Sequence, residues 1–138
     1  MNRRQLIAST LLAPAAAAQS AAPPPLPQAK IDGIDKAVDD IFKNQILDKS
    51  HRHYGSMQSA DTLFYGATPS SLLSTLSTAY VLPSSRHFKS ARVAERTELA
   101  ALAFARLQTP DGNWNLPITN FNSTPDTSFI IQGLNITL

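Results

Sequence analysis

Apolar residues recur at helical spacing in four stretches of the chain, with polar or turn-rich segments between them. Ile31, Ile34, Val38, Ile41, Phe42 and Ile46 share one side of a 3.6-residue period, and Asp and Lys fill the other. This predicts a first helix from about Asp32 to Lys49, with Gly33 weakening its opening turn. His51 to Gly66 has no period and reads as a loop. Thr68-Pro69 then opens a second helix. Thr68 can offer a side-chain oxygen to free N–H groups, and Pro69 suits the first turn, where its missing N–H would be unpaired anyway. Leu72, Leu73, Leu76, Ala79 and Tyr80 make the predicted apolar face, and Pro83 ends the helix.

Ser84 to Phe88 is a short connection. A third helix is predicted from about Lys89 to Gln108, with a register read from Ala91, Ala94, Leu99, Leu102, Phe104 and Ala105. Thr109-Pro110-Asp111-Gly112 is a turn signal that stops it. Asn113 to Ser123 is polar apart from Trp114, Leu116, Pro117, Ile118 and Phe121. Thr124-Pro125-Asp126 repeats the capping logic of Thr68-Pro69, with Asp126 placed to complement the helix dipole. Phe129, Ile130, Leu134 and Leu138 continue the pattern of this fourth helix. The expectation is an all-α fold of four helices, arranged as about two helical hairpins. The two Thr-Pro openings are similar in sequence, a spacing that suits a repeated hairpin. The last apolar pattern carries no stop signal, so the module from 30 to 138 is expected to belong to a larger helical array, or else to self-associate.

The N-terminal segment has a different character. Arg3 and Arg4 form a basic start, Gln5 to Ala18 is rich in Ala and Leu, and Ala16-Ala17-Ala18 supplies small residues for cleavage before Gln19. Residues 1–18 therefore read as an export signal, and the mature protein as periplasmic or extracellular. The run is too short to span a bilayer and Pro14 interrupts it, so no stable membrane anchor is expected after cleavage. The Arg3-Arg4-Gln5-Leu6-Ile7 string resembles a twin-arginine signal, with Asn2 and Leu-Ile departing from the usual pattern. Residues 19–29, with Pro23, Pro24, Pro25 and Pro27, read as an extended tether.

Charge and composition narrow the function. The formal net charge is +2, but Arg3 and Arg4 account for it; elsewhere ten basic residues face ten acidic ones. Nucleic acid is not an expected partner, because no basic surplus is left to displace counterions. The absence of cysteine excludes disulfides and thiolate metal sites. His51-Arg52-His53 could present two imidazoles to a metal if extended, but with three histidines in the chain and no nearby carboxylate pair no metal is expected. No cofactor is expected.

Leu107-Gln108-Thr109-Pro110-Asp111-Gly112-Asn113-Trp114 resembles the Gln-x-x-x-Gly-x-Trp turn of α/α-toroid proteins. The stretch through Asn120-Phe121-Asn122-Ser123-Thr124-Pro125-Asp126-Thr127-Ser128-Phe129 is similar to secreted bacterial toroids of the heparinase II/III-like group. The resemblance covers about Tyr54 to Leu134. It implies a partial α/α toroid and a polysaccharide partner, with the polar segment lining a cleft. A toroidal polysaccharide lyase removes a proton next to a uronate carboxylate, which needs a neutralising group, often Asn, and a Tyr or His to take and return the proton. The resemblance makes His53, Tyr54 and Asn122 the catalytic candidates, and Trp114, Asn120, Phe121 and Asp126 the substrate-binding ones. The plainer roles are that Asn122 shapes the approach to the Thr124 cap and that Tyr54 packs on the core. The alternative function is a non-enzymatic secreted module that binds a glycan or a protein.

Overall fold

The computed structural model describes residues 25–58, 67–115 and 124–135. Four helices follow one another: α1 (Gln28–Asn44), α2 (Ala67–Val81), α3 (Ala91–Arg106) and α4 (Thr124–Asn135). Among the described residues there is no strand, only an isolated bridge between Gln108 and Trp114, and the fold is all-α. The segment read as an export signal lies outside the described residues. No described helix is long and apolar enough to cross a membrane.

α1 begins before its predicted start, inside the segment read as a tether. Pro27 stands at the N-cap position and its carbonyl accepts the Lys30 N–H at 2.9 Å. The Gln28 side chain donates to Asp32 Oδ1 at 2.9 Å, one turn on, and Ile31 is buried. This early burial anchors the turn that Gly33 was expected to weaken. The helix also stops before Lys49. Gln45 turns to extended backbone while its N–H still bonds the Ile41 carbonyl, because its side chain is drawn into a buried polar junction described below.

α2 is the hub, packing against α1, α3 and α4. Leu72, Leu76 and Ala79 are buried as predicted, Leu73 is half-buried and Tyr80 is exposed. Leu72, Leu76 and Ala79 meet Val38 and Ile41 of α1 and Val93 and Ala100 of α3 in one core, with Ile34, Phe42, Met57 and Leu73 packed against it. Thr68 and Pro69 are both buried, whereas Thr124 and Pro125 are exposed. The two similar Thr-Pro openings thus sit in different surroundings. Ser70 ties α2 to α4 by donating its hydroxyl to the Ile130 carbonyl at 2.9 Å.

The predicted register of α3 is wrong by a rotation. Ala91, Ala94, Leu102 and Ala105 face solvent, and Leu99 and Phe104 are only half-buried. The buried stripe is Val93, Arg96, Ala100 and Ala103. The alanines offered no contrast between faces, and an arginine in the core stripe hid its period. On α4, Ile130 and Thr127 are buried, Leu134 is half-buried and Phe129 is 73% exposed.

The connection between α2 and α3 is clamped to α1 by charge. Ser85 Oγ donates to Asp35 Oδ1 at 2.5 Å and the Arg86 N–H to Asp35 Oδ2 at 3.2 Å. The Arg86 guanidinium pairs with Asp39, and His87 Nε2 lies 3.3 Å from the other Asp39 oxygen. The His87 ring meets Phe42 edge-on, with centroids 5.5 Å apart. Burial by itself would raise the Asp35 pKa. The Ser85 hydroxyl, the Arg86 N–H and the positive charges of His87 and Arg86 outweigh it and hold the carboxyl below its ordinary value.

Candidate functional site

The segment after α1 closes on itself. The Ile46 N–H bonds the Ser56 carbonyl and the Gly55 N–H bonds the Ile46 carbonyl, both at 2.9 Å. Between these pairs the chain runs through successive turns: His51 N–H to Asp48 C=O at 3.1 Å, Tyr54 N–H to His51 C=O at 3.0 Å, and Ser56 N–H to His53 C=O at 3.0 Å. The Asp48 carboxylate starts the series by accepting the Ser50 hydroxyl and N–H at 2.7 and 2.8 Å. Those two bonds, helped by the charge of His51, hold its pKa low against the opposing effect of burial. His51-Arg52-His53 is therefore not extended. His51 Nδ1 instead accepts the His53 N–H at 3.0 Å, and the two rings sit 5.9 Å apart and tilted. Among the described residues no three His, Asp or Glu side chains gather as a metal site would need.

A buried amide fixes this loop on α3. Gln45 Nε2 donates to the Gly55 carbonyl at 2.8 Å and to the Arg96 carbonyl at 3.1 Å, and Gln45 Oε1 accepts from Arg96 Nη1 at 3.4 Å. The Arg96 guanidinium also lies 5.8 Å from the Phe42 ring centre, so the buried arginine of the α3 stripe has both hydrogen-bonding and aromatic company. Gly55 has φ +87°, and a Cβ there would stand 2.2 Å from the Leu99 carbonyl oxygen. Only glycine permits this approach of loop backbone to helix backbone.

The approach creates a cleft of about 330 Å³ between loop and helix. Arg52, His53, Tyr54 and Ser56 line it on one side, and Ala103, Arg106 and Leu107 on the other. The Arg106 guanidinium donates to the Tyr54 carbonyl and lies 5.7 Å from the centre of the Tyr54 ring. Burial, followed by the positive charges of Arg52, His51 and Arg106, holds the His53 pKa below the ordinary imidazole value. A neutral imidazole can accept a proton, and the neighbouring phenol can return one.

His53 and Tyr54 are thus brought together, and the other sequence candidates lie elsewhere or outside view. Asn120, Phe121 and Asn122 fall outside the described residues. Asp126 is half-buried in the first turn of α4. Trp114 is 6% exposed and stacks on Phe104 at 4.4 Å, donating its Nε1–H to the Phe104 carbonyl at 3.0 Å. Its backbone N–H reaches Thr127 Oγ1 of α4 at 3.0 Å. The ring is held in the packing at the end of α3.

The Gln-x-x-x-Gly-x-Trp turn works as a latch around that ring. Gln108 Nε2 donates to the Gly112 carbonyl at 2.9 Å, and the Thr109 N–H bonds the Asn113 carbonyl at 2.8 Å. Gly112 takes the left-handed backbone at φ +87°. Arg106, Ser56 and Gln45 were missed by sequence reasoning. Arg106 reads there as an ordinary cation in the last turn of a helix, and Gln45 as a polar residue on the open face of α1.

No protein-family model, no curated protein and no solved structure matches this chain.

Proposed function

We propose that this protein is an exported helical module that engages polysaccharide at the cleft between the 46–56 loop and α3, with proton transfer of the polysaccharide-lyase type centred on His53 and Tyr54. The observation that carries the reading is that His53, whose pKa is lowered by burial and by nearby positive charges, and Tyr54 both line one cleft. In a lyase step the imidazole takes the proton next to the uronate carboxylate. The electron pair left behind forms the carbon–carbon double bond, the glycosidic C–O bond breaks, and the departing oxygen takes a proton. The resemblance to α/α toroids and the export-signal pattern supply the rest of the reading: a periplasmic or extracellular location, and further hairpins or a second copy covering apolar positions such as Phe129, which is 73% exposed. Asn122, the neutralising group that the resemblance implies, lies outside the described residues. A module that only binds glycan would use the same cleft without turnover.

The test is incubation of the full chain with uronate-containing and neutral polysaccharides, followed by binding and by the ultraviolet absorbance of the unsaturated product. Binding lost in both His53→Ala and Tyr54→Phe supports the cleft. Binding with no unsaturated product leaves the glycan-binding function and removes the lyase. No binding to any polysaccharide rejects the reading. N-terminal sequencing of secreted material tests export, which predicts a start at or near Gln19.

A further inference from the structure

We infer that the cleft is an anion site, in which Arg52 and Arg106 together hold an oxyanion carried by a sugar, a carboxylate or sulfate, against the His53 face. This deepens the reading above, on which the sugar depends but the anion does not. Three observations carry it. Arg52 comes from the loop and Arg106 from α3, and both line one cleft, with the Arg106 guanidinium against the Tyr54 carbonyl. Among the described residues, no carboxylate lines it. The same chain also shows how it neutralises such a pair when the role is structural: Arg86-His87, the other Arg-His dipeptide, faces Asp35 and Asp39. Among the described residues Arg52 makes no ion pair, and Arg106 donates to the Tyr54 carbonyl alone, one of five possible N–H donations. Guanidinium forks match the geometry of carboxylate and sulfate oxygens. The Gln45–Gly55–Arg96 junction holds the two walls at fixed spacing without the ligand, so little ordering is left for binding to impose.

The experiment is calorimetry on the full chain at low ionic strength with glucuronate, glucose and inorganic sulfate as separate probes. Glucuronate is expected to bind and glucose not, and added salt is expected to weaken binding. Arg52→Gln and Arg106→Gln should each lower the glucuronate affinity about fivefold or more. Arg106→Lys should lose less than Arg106→Gln, because it keeps the charge. Arg52 is exposed, so its variant tests the site even if Arg106→Gln disturbs the loop. Sulfate binding without glucuronate binding keeps the anion site and removes the sugar, which counts against the polysaccharide reading alone. The inference is overturned if no anion binds, or if anions bind equally well to both arginine-to-glutamine variants.

Discussion

Arg52-His53 and Arg86-His87 are the same dipeptide set in two interhelical connections, and their surroundings give them different chemistry. Arg86-His87 lies against Asp35 and Asp39 of α1, with Ser85 closing the cluster. There the acids are satisfied and the connection is fastened. Arg52-His53 is held by a different set of groups: the Asp48 carboxylate on Ser50, the Gln45 amide on the Gly55 carbonyl, the Arg106 guanidinium on the Tyr54 carbonyl, and the paired backbone of Ile46 and Ser56. Its charge is left facing a cleft, next to a second arginine. Position is thus fixed by hydrogen bonds at both places, while among the described residues only Arg86-His87 makes ion pairs. On the proposed anion site, the counter-charge at Arg52-His53 comes from a ligand.

The contrast breaks most visibly at Asp35. Asp35→Ala strips the Ser85 hydroxyl and the Arg86 N–H of their acceptor in a buried place. It should cost about 3 kcal/mol in urea denaturation. Gly55→Ala attacks the other region through the backbone. With φ +87° and the Leu99 oxygen in the way, it should cost about 2 kcal/mol. It should also abolish anion binding, which Asp35→Ala in its folded fraction should not.

The two arginines respond differently to the same substitution. Arg86→Gln removes a half-exposed ion pair and should cost about 0.5–1 kcal/mol. Arg52→Gln should leave stability within about 0.5 kcal/mol of the parent, because Arg52 is exposed and makes no ion pair among the described residues. Equal losses would place Arg52 in a structural role.

The smallest effect is in pH. His53 binds its proton less readily folded than unfolded, so the unfolded chain takes up more protons as the pH falls past the ordinary imidazole value of 6.5. Stability should decline there and level off below the folded value. The Asp35 contribution is complete above the ordinary carboxyl value of 3.8 and is lost as the pH falls through its lowered folded value. Two separate steps are expected in stability against pH. His53→Asn should flatten the upper one alone and Asp35→Asn the lower one alone.

The helices were legible because each carried an apolar stripe or a stop signal: Leu72 and Leu76 are buried where the period put them, and the Pro110–Gly112 turn ends α3. The faces were less so. Arg96 sits in the core stripe of α3, where a period of apolar residues does not look for it, and the surrounding alanines fit either face. The site was half legible. His53 and Tyr54 are adjacent in sequence and drew notice by residue type. Arg106 joins them from 52 residues away, which no local pattern encodes. Trp114 stands out in the sequence through the Gln-x-x-x-Gly-x-Trp resemblance, yet its stacking on Phe104 depends on how the latch folds back over α3.

The most direct test of the difference between the two dipeptides is to follow the ring protons of His53 and His87 by NMR at low ionic strength, with and without glucuronate. An oxyanion between Arg52 and Arg106 favours the protonated imidazole. The His53 resonances are expected to shift on addition of glucuronate and the His53 titration midpoint to move upward, while the His87 resonances stay in place against Asp39. A His53 signal indifferent to the anion, or His53 and His87 responding alike, would contradict it.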